Sequence, residues 1–305
     1  MAVYSSDLSG ILPAQTLDGI VEGTKTNSTI VALSGQDPMK FGNVNIVTFD
    51  ADPAAEFVDE GGAKSSEDIK PSVVSAVPHK AVVTYRTSDE FMWADEDYQL
   101  GILDKFAEKA ARALGRALDL GAYFRINPKT GNEITAWTNY VNATTNRVEI
   151  AADSDPELLV ETAAGLLVPN GINASGIALS PQLAWDLATV RYADGRRKFP
   201  EVGYTIEPTS FAGMQSSTST TVSGKPRDKD TADNGVRAII GDFNEGLRWG
   251  IQREVPFQVI PYGDPDNSGR DLKGHNEVAL RAEVVYAWYA FTDSFAVIEN
   301  EPAAG

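Results

Sequence analysis

The stretch Gly241–Glu299, "GDFNEGLRWGIQREVPFQVIPYGDPDNSGRDLKGHNEVALRAEVVYAWYAFTDSFAVIE", decides the fold. From Glu277 onward Val278, Leu280, Ala282, Val284, Tyr286, Trp288 and Ala290 alternate with Glu277, Arg281 and Glu283. Strict alternation is the period of a strand whose two faces meet different surroundings. In its second half, "VVYAWYAF", both faces are apolar, so both expect to be covered. A strand over 277–291 would run roughly 50 Å at about 3.3 Å per residue. The segments Leu247–Ile251 and Val255–Ile260 have the composition to pair with it in one elongated sheet.

Between these strands lies "YGDPDNSGRDLKG". Asp264, Asp266, Ser268 and Gly269 imitate the first half of a calcium-binding loop, but position twelve is His275 where a bidentate Glu is required. Asp-Pro, Asn and Gly supply turn dihedrals instead, and the stretch reads as turns.

Residues 95–122, "DEDYQLGILDKFAEKAARALGRALDLGA", give the clearest helix. Leu103, Phe106, Ala107, Ala110, Leu114, Ala117 and Leu118 recur at three- and four-residue spacing. Acidic residues open the helix and Gly121 is expected to stop it, for a length of about 40 Å. Asp155-Pro156 and Ser180-Pro181 each place a capping side chain before a proline at the first helical position. With the short strand "SGIALS" they predict an α/β unit over 150–260. Within it the polar run Met214–Gly235 is expected to be exposed and mobile.

Nearer the start, 1–42 has too few apolar residues for a core of its own. Its amphipathic piece around Leu17, Ile20 and Val21 must lean on another part of the chain or on a neighbour. "NVNIVTF" and "PSVVSAVPHKAVVTYRTS" favour strands, and some 20 charged, Gly- and Ser-rich residues separate them. That is far longer than a hairpin turn, and it predicts an extended two-stranded flap.

Composition removes most chemistry. The chain has 305 residues and no cysteine, which excludes disulfides, thiolate catalysis and cysteine-ligated metals. Two histidines, His79 and His275, cannot build a multi-histidine centre. His79, in "AVPHKAVVTY", is expected as an exposed strand histidine. No nucleophile elbow, P-loop or G-x-G-x-x-G is present. No run approaches a membrane span, and no secretory signal opens the chain, so synthesis in the cytoplasm is expected. A net charge of −17 disfavours binding to nucleic acid or anionic membrane.

The order of these parts resembles the major capsid proteins of tailed bacteriophages, which have the Hong Kong 97-type fold. "AAEFVDEGGAKSSEDIKPSVVSAVPHKAVVTYRTSDEFMW" (54–93) resembles that family's extended loop and return strand. "GILDKFAEKAARALGRALDLGAYF" resembles its spine helix, and "GIALSPQLAWDLATVRYADGRRKF" its axial strand–helix unit. The closing strands resemble its peripheral domain. The resemblance implies an α+β fold with an N-terminal arm at 1–42 and an extended β-hairpin loop at 43–88. It further implies a peripheral domain from 89–149 and 261–305, with spine helix 95–122 and long strands, and an α/β axial domain at 150–260.

By function, the resemblance implies a non-enzymatic major capsid protein without cofactor or metal. Copies would assemble as homo-hexamers and homo-pentamers into an icosahedral head shell, part of the virion, made in the host bacterial cytoplasm. The shell would enclose double-stranded DNA without reading its sequence. Expected partners are a separate scaffold protein, a portal and a decoration protein, with no membrane. Some family members cross-link a loop lysine to an asparagine with help from a glutamate. The matching positions are Lys64 (with Lys70 nearby), Asn276 and Glu283. The alternative of the same fold is an encapsulin-like nanocompartment shell around protein cargo. The Ser/Thr-rich loop and long arm count against it.

Overall fold

In a computed structural model the described residues are 28–49, 55–64, 66, 71–93, 96–151, 154–199, 210–227 and 230–300. The segment around Leu17, Ile20 and Val21, and also Lys70 and Asp95, lie outside them.

The long strand predicted from the opening stretch is β10 (Glu277–Ala290). It is the middle of a three-stranded antiparallel sheet, between β3 (His79–Ser88) and β9 (Leu247–Ile260). Its register pairs Glu277 with Ser88 and Tyr286 with His79 on one side, and Ala290 with Leu247 on the other. The even-numbered face (Val278, Leu280, Ala282, Val284, Tyr286, Trp288) joins one core with Leu103, Phe106, Ala110, Leu114 and Leu118 of α2 (Glu96–Phe124). The odd face is also buried, at Ala279, Val285 and Ala287. Its cover includes residues 36–39, which cross the neighbouring strand β9: Gln36 bridges to Trp249, and the Asp37 amide bonds the Trp249 carbonyl at 2.8 Å. A side chain at Gly250 would collide there with the Asp37 carbonyl and Met39.

Helix α2 passes through Gly121 instead of ending there. That glycine makes room for tryptophan, since a Cβ would lie 2.9 Å from Trp288 and 3.3 Å from Trp137. Termination falls to Arg125, which takes the left-handed conformation (φ 53°) while its amide bonds the Gly121 carbonyl at 2.9 Å.

A six-stranded mixed sheet has the order β4-β11-β8-β5-β7-β6. Its strands are β4 (Arg147–Ile150), β5 (Gly176–Leu179), β6 (Ser210–Phe211), β7 (Met214–Thr218), β8 (Val236–Gly241) and β11 (Phe295–Asn300). Both predicted caps form: Asp155 accepts the Glu157 amide at the start of α3 (Pro156–Gly165), and Ser180 accepts the Leu183 amide at the start of α4 (Pro181–Thr189). These helices pack Leu159, Val160, Leu183 and Leu187 on one face of the sheet, against Ile177, Leu179, Ile240 and Ile298. Ala178, Ile239 and Val297 on the opposite face enter the α2 core. Burial on both faces explains why these strands lack polar alternation.

The sheets cut across the boundaries drawn on the sequence. Strand β3 belongs to the three-stranded sheet, and the separate antiparallel pair is β1 (Val44–Phe49) with β2 (Pro71–Ala76). Strand β9 falls inside the 150–260 stretch drawn as the α/β unit but pairs with β10. Strand β11 leaves β10 through a turn at 292–294 and enters the six-stranded sheet.

The run 214–235 corrects an expectation. Expected as exposed throughout, it supplies β7 and a 3-10 turn at Thr220–Ser223, with Met214, Thr221, Val222 and Ser223 buried, while 231–234 are exposed as expected. One of its hydroxyls, that of Thr221, is not there for solvent; it serves a buried acceptor.

Candidate functional site

That acceptor is Asp119 of α2, wholly buried. It draws in two segments remote in sequence. From the first, the Ser28 hydroxyl donates to Oδ1 at 2.5 Å and the Ile30 amide at 3.2 Å. The Thr29 amide and hydroxyl both donate to Oδ2 at 3.0 Å. From the second, the Thr221 hydroxyl donates to Oδ2 at 2.7 Å. Asp119 thereby caps the short helix α1 (Thr29–Leu33), and Tyr123 adds a contact to the Thr29 hydroxyl at 2.9 Å. Burial pushes the carboxyl up from its ordinary range, while every donor opposes that by favouring the ionised form. Sequence reasoning missed this residue. Its signal was an acid inside an otherwise apolar run, Leu118-Asp119-Leu120, on a helix read as core.

A second polar cluster sits at the far end of β3, in the calcium-like loop. Asp264 accepts the Ser268 amide at 3.0 Å and the Gly269 amide at 2.7 Å, with Asn267 and Gly269 at positive φ. The loop is a turn, as its sequence reads, and the place of a cation is taken by Arg86. Its guanidinium bonds Asp264 at 2.6 Å, Glu277 at 3.2 Å, the Ser268 hydroxyl at 2.7 Å and the Arg270 carbonyl at 3.0 Å, and it forks onto Asp266. The Arg86 bonds hold the Asp266 carboxyl well below the usual carboxylate range. Among the described residues no group of three or more His, Cys, Asp or Glu side chains is placed to hold a metal.

His79 corrects another expectation. It is half-buried, not exposed, with its ring 3.9 Å from Trp137 and 4.3 Å from Trp288. Burial lowers its pKa to about 4, so the imidazole is neutral at pH 7.

The three residues matched to a cross-link do not meet within one chain. Lys64 is exposed in the 55–64 segment. Asn276 is exposed in a left-handed conformation (φ 52°), its carbonyl accepting the Asp89 amide at 2.8 Å. Glu283 lies seven residues along, on the order of 20 Å away at strand spacing, and pairs with Lys80 at 2.6 Å.

Both polar clusters fasten distant segments to a long helix and a long sheet. No helix among the described residues is long and apolar enough to cross a membrane.

Comparison with known proteins accounts for this architecture. The model of the phage capsid family matches residues 9–288. A solved chain from Mycobacterium phage Ogopogo is 37% identical, with TM-score 0.80 over 90% of this chain and 92% of that one. A chain from Gordonia phage Cozz is 29% identical, with TM-score 0.75 over 90% and 87%. A chain from the capsid of a native GTA particle, at 14% identity, shares the fold with TM-score 0.59 over 90% of both chains. No curated protein matches. No finding supports the nanocompartment alternative. A long helix on a long-stranded sheet, polar clusters that fasten distant segments, and a family match over nearly the whole length agree: the chain belongs to the phage capsid family and is a major capsid shell protein.

Proposed function

We propose that copies of this chain assemble as homo-hexamers and homo-pentamers into an icosahedral head enclosing double-stranded DNA. The observation that carries this reading is the family match over 9–288, on a chain whose polar clusters are spent on holding segments in place. The protein is made in the bacterial cytoplasm, works without catalysis and resides in the virion. A separate scaffold protein guides closure, and a portal and a decoration protein complete the head. The net charge of −17 keeps packaged DNA from adhering to the wall, because like charge opposes contact.

Negative-stain microscopy after size exclusion tests this, with the recombinant chain alone and with its scaffold. Closed shells, or rings of five and six copies, are the expected result. A compact monomer at high concentration under both conditions contradicts it. Shells of small diameter filled with protein would favour the nanocompartment instead.

A further inference from the structure

The net charge of −17 is an average, and the cations are not spread evenly. Along α2, Lys105, Lys109, Arg112 and Arg116 follow one another at spacings of four, three and four residues. At 3.6 residues per turn they share an arc of about 60° and span about 16 Å of helix. That arc lies opposite Leu103, Ala110, Leu114 and Leu118, which pack on the sheet. Lys105, Lys109 and Arg112 are exposed, and Arg116 is half-buried. Two further exposed cations, Lys129 and Arg227, border one hollow with Lys109, Arg112 and Arg116. Asp104 and Glu108 flank the row on one side, and Glu108 takes Arg112 at 2.9 Å. Among the described residues no carboxylate pairs with Lys105, Lys109 or Lys129.

Helix stability does not explain this order. Lys105 faces Lys109, and Arg112 faces Arg116, four residues on, where like charges repel and destabilise. The helix dipole favours cations in the last turn, and α2 has none there. A row of cations held against its own repulsion calls for an anion of matching length. Duplex DNA has that form, with a phosphate about every 3.4 Å along each strand, so about 16 Å of it passes four or five phosphates along the row. We propose that the α2 row, with Lys129 and Arg227 beside it, is a sequence-independent contact for the phosphate backbone of duplex DNA. Such side chains position a backbone without reading bases. The surrounding acidity keeps the contact weak and salt-labile, so a wall that repels DNA on average touches it along one ridge. Duplex DNA as the polyanion rests on the shell reading; the cationic row does not.

Fluorescence anisotropy tests it, with a short labelled duplex of mixed sequence and the full chain below the concentration at which shells form. Binding should fall steeply from about 50 to 200 mM salt. Lys105→Gln with Lys109→Gln removes two phosphate contacts. It should weaken binding more than about tenfold at 50 mM and lower the slope of log K against log salt by about two. Lys40→Gln with Lys273→Gln makes the same change in charge at exposed sites off the row, and should leave both nearly unchanged. Because the two removed lysines repel each other, melting of the row variant should hold or rise. Duplex should raise the melting temperature of the wild type at low salt, and that of the row variant less. A wild type that binds no duplex at 50 mM, or two variants that weaken alike, overturns the contact while leaving shell assembly intact. Poly-glutamate that binds as tightly as duplex also overturns it, by making the row a site for acidic protein. Weaker binding that tracks a lower melting temperature in the row variant does the same. Duplex binding by a chain that never forms shells supports the row and removes the shell reading alone.

Discussion

Asp119 and Arg86 each gather several partners around one charge, but under opposite conditions. Asp119 is wholly buried, and its partners are neutral hydroxyls and amides. Arg86 keeps 15% of its side chain exposed, and its partners include three carboxylates that water also reaches. A buried carboxylate carries a desolvation cost that only a full set of donors offsets, so removing any member exposes that cost. At a wet cluster, solvent and salt replace whatever is lost. The first holds α1 and the 220–223 turn to α2; the second shapes one surface loop. The fold should therefore depend far more on the first.

Asp119→Ala is the strongest way to break this comparison. It strands buried donors from Ser28, Thr29, Ile30 and Thr221 at once, and should cost about 3 kcal/mol or more in urea denaturation. Hydrogen exchange should then rise at 28–33 and at 220–223 together. If only one segment loosened, the two would not share an anchor. Thr221→Val, nearly isosteric, removes one donor and should cost about 1.5–3 kcal/mol.

Acid should act through His79, since burial sets its pKa at about 4, below the ordinary 6.5. The folded state binds that proton more weakly than the unfolded one. The stability linked to His79 is thus present above pH 6.5 and lost as pH falls toward about 4. His79→Phe keeps a ring against Trp137 and Trp288, and should show a shallower fall in melting temperature across that window. Equal slopes would remove His79 as the cause.

Arg86→Gln should have the smallest effect. Global stability should barely move, while proteolysis between 261 and 276 speeds up. High salt should reproduce much of that loosening in the wild type, but leave the 28–33 segment untouched. A global loss as large as that of Asp119→Ala would erase the distinction between the clusters.

What the sequence made legible follows the same division. The α2 stripe, the alternation of β10 and the Asp-Pro and Ser-Pro caps are local patterns, each visible within a dozen residues. Turn chemistry at 264–269 was equally plain, but Arg86, some 180 residues away, carries no local sign that it fills the loop. The same holds for Asp119 and Thr221, separated by 102 positions. A run of Ser and Thr looks like a solvated linker until its buried acceptor is known, which is why β7 and the 220–223 turn are not legible in it. His79 was misjudged because its cover comes from Trp137 and Trp288, neither near it in sequence. Gly121 looked like a helix stop because only the fold places Trp288 against it.

The most direct test of the shell assignment is sedimentation velocity of the purified chain across a range of concentrations. A shell protein should give discrete boundaries for rings of five or six copies, or a fast boundary for closed particles, growing with concentration. A single boundary at 32.8 kDa, unchanged at every concentration and with scaffold added, would contradict it.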